Sequence, residues 1–521
     1  MNILPTIVQE TVSQCKKQGF VVSAALASFF IKSQLLTTKK DAQNNVELTP
    51  EHVERLVNAA VRTLTLADSP MLETFKLQAS LTTTQQEQLH QFRTEKVQHK
   101  AKSHRLMEDI WQKHDPNEVF GDITMFILHE SKQLPTASEA VQKETMLALE
   151  GVFPKALMDS FVSQREAEKV RQLEEIWRIV WGMRIFNKET GKPAAGIPDL
   201  LGDTTTILQG TTEAALGLID EMATLTREYA AVLSSPSLQL GDNVRLRLQD
   251  EYHNRLQIKV YLRSLLQTIA TLSAKVAEFE PTYTSVVEDA TTLVNGPEAG
   301  NVPKSAIYPR FISLSERWDV LYGLHREALD TRAILDLIIA YRSSFGITLR
   351  DSDVEHALSG LAEERQPNKE LISTEVTNPA VEYISELPED KRESRLEFNG
   401  FCIVSFMDSG VLLDGKTDEE TSPGYLLLQA NGAYYSFSTE RSLKTFGKNP
   451  FNYLSQKLMD SVQSNAVLIY LLGLHPYLPK ELYLAGSRKQ EVARVVEKGD
   501  GATQTGQVDS YKDTHYVWNE W

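Results

Sequence analysis

The sequence predicts a mainly α-helical protein, built as antiparallel helical bundles or a stack, with a small α+β module towards its C-terminus. Three observations carry this. From Ile7 to about Arg365, apolar residues recur at three- and four-residue spacing between turn residues. Around Arg365 that pattern gives way to prolines and carboxylates. Beyond it, two β-prone runs flank Asn431-Gly432, a pair suited to the positive φ of a type I′ hairpin turn.

Residues 1–150 form an N-terminal helical region and 151–365 a central domain of long helices. Within the central domain, the stretch from Val162 to Lys188 opens on Ser163 and Glu166, which read as a capping-box pair. It places Val170, Leu173, Ile176, Trp177, Val180 and Trp181 on one buried face, and Gly191 and Pro193 stop it. A helix from about Thr212 to Leu233 precedes the longest candidate, which runs from Asp242 to about Phe279, where Pro281 is expected to end it. Pro309 to Phe345 carries Phe311, Leu314, Trp318, Leu321, Leu324 and Ala328 on one stripe. No fixed-period repeat is present, which argues against a solenoid.

Residues 366–395, with Pro367, Pro379 and Pro388, read as a linker. The α+β module occupies 396–480: a strand-like run from Phe398 to Met407, a hairpin of Tyr425–Gln429 and Ala433–Phe437, a helix starting near Ser438 and another from about Leu454 to Leu472. Residues 481–521, with Gly499, Gly501 and Gly506, read as an extended, partner-docking tail.

Hydrophobic residues make up 41% and charged residues 24%, which excludes a wholly disordered, collagen-like or integral-membrane chain. The 54 basic and 70 acidic side chains give a net charge of −16, so the overall field repels nucleic acid and any other acidic surface. Only a locally basic patch can meet such a partner. Cys15 and Cys402 supply neither a zinc site nor a disulfide framework, which fits a reducing intracellular compartment. Phe20–Ile31 and Ala466–Leu474 fall short of the ~20 apolar residues of a membrane span, and Met1-Asn2-Ile3-Leu4-Pro5 lacks the pattern of a secretory signal.

Gly410-Val411-Leu412-Leu413-Asp414-Gly415-Lys416-Thr417 matches the letters of a phosphate-binding P-loop. Mechanism argues against it. A P-loop opens directly into a helix, whereas Asp418, Glu419 and Glu420 would repel a nucleotide and Pro423 would disrupt the helix. A solvated loop before the hairpin is the preferred reading, and nucleotide binding at Gly410–Thr417 the alternative. The eleven histidines show no metal-binding spacing; His129-Glu130 has no second histidine nearby in sequence, so each reads as a surface or satisfied core residue. No catalytic residue, metal or cofactor is assigned.

Arg93, Lys96, Lys100, Lys102 and Arg105, with His99 and His104 among them and Glu95 as the one acid, form a basic segment in an acidic chain. A solvated helix face is the plain reading, and docking onto an acidic lattice such as tubulin the sharper one. In the tail, Thr503-Gln504-Thr505 resembles the core of peptides that small dynein light chains bind by adding a strand to a sheet edge.

Ile179-Val180-Trp181-Gly182-Met183-Arg184-Ile185-Phe186-Asn187-Lys188, with Gly191-Lys192 and Gly196-Ile197-Pro198-Asp199-Leu200, resembles the signature of the cilia- and flagella-associated protein 206 family. Three further segments agree in order: Gly400-Phe401-Cys402, then Tyr434-Tyr435-Ser436-Phe437 leading to Phe446, Asn449, Pro450 and Tyr453, and finally Tyr516-Val517-Trp518-Asn519-Glu520-Trp521. The resemblance spans nearly the whole chain. It implies a non-enzymatic axonemal adaptor in the cytoskeleton of the cilium or flagellum, one that anchors the second radial spoke of each repeat and a neighbouring inner-arm dynein to the doublet microtubule. Implied partners are the tubulin lattice, spoke-base subunits and inner-arm dynein, with no nucleic acid and no membrane.

The module around residues 400–454 also resembles a YHS-type domain. Metal-handling members of that group carry cysteines where this chain has Ser438, Thr439, Glu440 and Arg441, so Tyr435, Phe437, Phe446 and Tyr453 are expected to be core aromatics. Members of the cilia- and flagella-associated family continue past the Trp-Asn-Glu-Trp motif into a basic helix, whereas this sequence stops at Trp521. Tyr516, Trp518 and Trp521 are candidate partner-docking anchors, because large aromatics in an extended tail have no local core to enter.

Overall fold

The computed structural model describes residues 3–37, 49–133, 137–296, 302–364, 381–384, 396–415, 426–430, 433–453, 458 and 467–474. Helices dominate. The first six are α1 (Ile3–Lys17), α2 (Ala24–Thr37), α3 (Pro50–Leu64), α4 (Pro70–Gln112), α5 (Pro116–Glu130) and α6 (Glu139–Val152). A short α7 (Met158–Val162) leads to α8 (Glu166–Glu189), α9 (Leu200–Ser234), α10 (Asp242–Asn295), α11 (Lys304–Arg342) and α12 (Asp351–Glu364). None of the described helices is long and apolar enough to cross a membrane. The described residues within 1–30, 57–375 and 405–413 form one compact unit, and those within 31–56, 376–404 and 414–521 form another.

In the first unit the long helices run antiparallel, as their cross-contacts show. Arg245 donates to the Leu233 carbonyl (3.2 Å), Tyr229 to Glu251 (2.7 Å) and Lys259 to Thr226 (3.4 Å), so α10 descends as α9 rises. Lys275 pairs with Glu327 (3.6 Å) and Arg317 donates to the Thr282 carbonyl (3.0 Å), which sets α11 against α10 in the same sense. Ser80 meets Tyr341 (2.7 Å) and Gln88 the Asp330 carbonyl (3.1 Å), laying α4 along α11.

Two apolar clusters lie between these helices. One gathers Trp177, Trp181 and Phe186 of α8 with Phe311 and Trp318 of α11, the two tryptophans meeting edge to face at 5.7 Å. The other gathers Leu262, Leu265, Ile269 and Leu272 of α10 with Leu335 and Ile338 of α11. Each large apolar side chain removed from water contributes about 1.5–3 kcal/mol, which is why the stripes read from sequence face inwards.

Some boundaries differ from those expected. Ser163 does not cap α8; it closes α7, its hydroxyl donating to the Asp159 carbonyl at 2.8 Å, and α8 begins at Glu166 behind Arg165. α8 stops as expected at Gly191, whose φ of +71° lets Lys192 donate back to the Asn187 carbonyl at 2.8 Å. α9 starts at Leu200, earlier than its apolar run suggested. Pro281 does not end α10, and Pro309 lies inside α11 rather than at its start. A proline inside a helix costs about 3 kcal/mol. Beyond Pro281, however, Tyr283 and Ala290 enter the tryptophan cluster with Val286, Val287 and Val294 against it, and that burial outweighs the lost bond.

In the second unit, β1 (Val381–Ile384) lies within the segment read as a linker. Phe398 to Met407 is not one strand: the backbone makes β2 (Phe401–Cys402) and then α13 (Ile403–Ser409), part of the first unit from Ser405 onwards. After β3 (Leu413–Asp414) come β4 (Leu426–Ala430), β5 (Ala433–Phe437), α14 (Glu440–Lys448), α15 (Pro450–Tyr453) and α16 (Val467–Leu471). β4 pairs antiparallel with both β1 and β5. Ala430 faces Ala433 across the hairpin, so the two-residue connection predicted from Asn431-Gly432 fits the register, although that pair lies outside the described residues.

Candidate functional site

α4 is a 43-residue helix started by Ser69, whose hydroxyl accepts from the Leu72 amide, with Pro70 in the first turn. Its buried residues lie mostly in the turns up to Leu81, and its second half carries the basic segment. Arg93, Lys96, Lys100, Lys102 and Arg105 are all exposed. Helical spacing divides them: Arg93, Lys96 and Lys100 share one stripe, whereas Lys102 and Arg105 stand off it.

Glu95 is drawn away from this stripe into an ion pair with Arg326 of α11. The guanidinium holds the Glu95 carboxyl below its usual range, and the carboxylate raises Arg326 in return. Arg326 also lies over the Phe92 ring, 5.1 Å from its centroid. The stripe that remains is cationic and partly apolar, because Leu89, Phe92 and Val97 are 50%, 48% and 70% exposed. Such a surface suits a partner that is acidic and has apolar contacts of its own.

The structure also joins residues that sequence spacing separates. His99 of α4 stacks on His129 at the end of α5, with ring centroids 4.2 Å apart, and Glu130 stands beside them. The two histidines are thirty positions apart in sequence, so no motif could have shown the pair. A second junction is Arg184, buried on α8, which donates to the Gln133 side chain (2.8 Å) and the Ala195 carbonyl (2.6 Å) and lies 3.6 Å from Glu144. Burial lowers its pKa from the usual arginine value while Glu144 raises it. Glu144 accepts from the Ala195 amide and Gln133 donates to the Gly196 carbonyl, both at 2.6 Å. Arg184 thus ties the loop after α8 to the helices before it.

The P-loop-like segment makes no open cradle in its described part. α13, not a strand, leads into it, and Val411 and Leu412 are fully buried. The Gly415 amide donates to the Gly400 carbonyl at 2.8 Å. Lys416 and Thr417 lie outside the described residues, as do Thr503, Gln504, Thr505, Tyr516, Trp518 and Trp521. In the second unit, Tyr435 and Phe437 of β5 pack on Phe446 of α14 at 5.0 and 5.1 Å, and Tyr453 follows at 6.0 Å, so these aromatics form a core. Thr439 caps α14 by accepting from the Ser442 amide at 3.1 Å, a structural use for one of the positions where a YHS-type metal site would need cysteine.

Comparison with known proteins gives one family. The model of the FAP206 family, described as a domain of unknown function, matches residues 205–479. Cilia- and flagella-associated protein 206 of Bos taurus is 24% identical over the whole of this chain and 85% of its own length. The protein of the same name from Tetrahymena thermophila is 24% identical over the whole chain and 86% of its length. That of Danio rerio is 25% identical, again over the whole chain and 86% of its length. No solved structure matches.

Proposed function

The chain belongs to the FAP206 family, and on that premise we propose that it is a structural adaptor of the ciliary and flagellar axoneme. In this reading it anchors the second radial spoke of the repeat and an adjacent inner-arm dynein to the doublet microtubule and so supports ciliary beating. The observation that carries it is the α4 face, where Arg93, Lys96 and Lys100 stand exposed beside Leu89, Phe92 and Val97 while the neighbouring acid is bound by Arg326. In a chain of net charge −16, this stripe is suited to the acidic tubulin lattice. The long antiparallel helices give the reach and stiffness an anchor needs. Spoke-base and dynein subunits would be met by the acidic faces and by the tail, with Thr503–Thr505 for a small dynein light chain and Tyr516, Trp518 and Trp521 as aromatic anchors.

The test is replacement of the native protein by an Arg93→Glu, Lys96→Glu, Lys100→Glu variant, followed by graded salt extraction of axonemes. The variant is expected to leave the axoneme at lower salt than the wild type. Equal retention would remove the stripe from the interface. Tomography of axonemes lacking the protein tests the wider role: loss of the second spoke and its dynein supports it, and an unchanged repeat favours a soluble assembly scaffold, which detergent fractionation would find outside the microtubule fraction.

A further inference from the structure

His99 and His129 are held by each other's backbone. The Nε2 of His99 lies 3.1 Å from the His129 carbonyl oxygen, and the Nε2 of His129 lies 3.0 Å from the His99 carbonyl oxygen. A carbonyl only accepts, so each Nε2 carries the hydrogen and each Nδ1 keeps its lone pair. The planes are 19° from parallel. Glu130, next to His129, accepts a hydrogen bond from the Ser103 hydroxyl, one helical turn beyond His99. One ligand atom from each of His99, His129 and Glu130 lies within 4.8 Å of the other two.

We propose that these three side chains form a binding site for a borderline divalent transition cation of the Zn²⁺ class, closing α4 onto α5. Two imidazoles and a carboxylate are a common three-ligand set for such an ion, with water in the remaining position. His99 and Glu130 are half-buried, which leaves that position open to solvent. Part of the surrounding shell is already in place: His129 donates its other nitrogen to the His99 carbonyl, and Ser103 orients the carboxylate. Of the charges nearby, Lys102 opposes a cation at His129, whereas Asp319 acts favourably at His99.

Stacked rings cannot both hold one ion in their planes. Metal bonds of about 2.0–2.1 Å also require ligand atoms about 3.3 Å apart, closer than the 4.8 Å limit of the metal-free cluster. Binding therefore turns His99, the more exposed ring, about its soft Cβ–Cγ bond and exchanges one hydrogen bond for a metal bond. The ion then fixes α4 beside Lys96 and Lys100. This site does not depend on the adaptor reading.

The experiment titrates the full, chelator-stripped chain with Co²⁺ as a spectroscopic probe and then with Zn²⁺ as competitor. Saturable visible d–d bands of a four-coordinate ion are expected, lost on Zn²⁺ addition, with a higher melting temperature for the loaded chain. His99→Ala and Glu130→Gln should each weaken Co²⁺ binding more than about tenfold, and Ser103→Ala about tenfold, and the rise in melting temperature on loading, read against each variant's own metal-free curve, should shrink in step. Absence of d–d bands in the wild type would overturn the proposal. So would unchanged Co²⁺ affinity in both His99→Ala and Glu130→Gln, because two variants on different helices would then place the ion elsewhere.

Discussion

Gly182 of α8 passes the backbone of Phe311 on α11 so closely that a Cβ at Gly182 would stand 1.8 Å from the Phe311 carbonyl oxygen. The near atoms are backbone, so no rotamer change relieves the clash, and the tryptophan cluster depends on this approach. Gly182→Ala is expected to destabilise the first unit by about 3 kcal/mol, the upper range for overpacking. Denaturant unfolding followed by tryptophan fluorescence measures it; a loss below about 1 kcal/mol would mean the two helices can separate freely.

Arg184 gives a second, chemically different prediction. Arg184→Met removes the donor to Gln133 and the Ala195 carbonyl and leaves Glu144 without its cation. A cost of about 3 kcal/mol is expected, and Arg184→Lys should recover little of it, because one ammonium cannot reach partners placed for a planar fork. The same unfolding experiment separates these outcomes.

Asp250 and His253 set opposing pH dependences one turn apart on α10. Burial, aided by the charge of Glu251, pushes Asp250 up to about 6, and burial pushes His253 down to about 4. As pH rises from about 4 to 6, the unfolded chain releases the Asp250 proton before the folded one does, so this group lowers stability. Over nearly the same window His253 does the reverse, since on acidification the unfolded chain takes up a proton that the fold refuses. Asp250→Asn should therefore lose roughly 2 kcal/mol as pH falls from 6.5 to 4, and His253→Gln should lose a similar amount as pH rises from 4 to 6. Parallel curves for the two variants would refute this pairing.

At Glu95 the expectation is a gain. Glu95→Gln weakens an exposed pair with Arg326, costs less than about 1 kcal/mol of stability, and makes the α4 face more positive. Axonemal retention of this variant should require more salt to break; easier extraction would count against the proposed contact.

Pro281→Ala restores the amide that can donate to the Ala277 carbonyl and removes the ring from the helix interior. Stabilisation of about 1–3 kcal/mol is expected, read as a rise in melting temperature. A fall would show that the cluster around Tyr283 is fitted to a bend at this point.

Much of the fold was legible because it rests on local pattern. The 3.6-residue stripes through Trp177 and Trp181, and through Phe311 and Trp318, named the faces that now meet at 5.7 Å. The hairpin strands either side of Asn431-Gly432 were equally local. Where tertiary burial competed with a local stop signal, the sequence misled. Pro281 reads as an end, and only the pocket awaiting Tyr283 explains why the helix goes on. Ser163 reads as a cap because Glu166 follows it, while its hydroxyl is already engaged by α7. For the candidate site, the five basic residues were visible, but the removal of Glu95 by Arg326 and the meeting of His99 with His129 depend on contacts across 231 and 30 residues.

α10 spans 54 residues, about 80 Å of uninterrupted helix, and enters one apolar cluster before Pro281 and the other after it. Its strength is that of its weakest turn, which here is the turn where the Ala277 carbonyl meets no amide from Pro281. Before that turn Leu262, Leu265, Ile269 and Leu272 enter one cluster, beyond it Tyr283 and Ala290 enter the other, and Phe279 within it packs against both, so a pull along the rod would load the proline turn between them. Under axial load α10 would therefore yield first at Pro281.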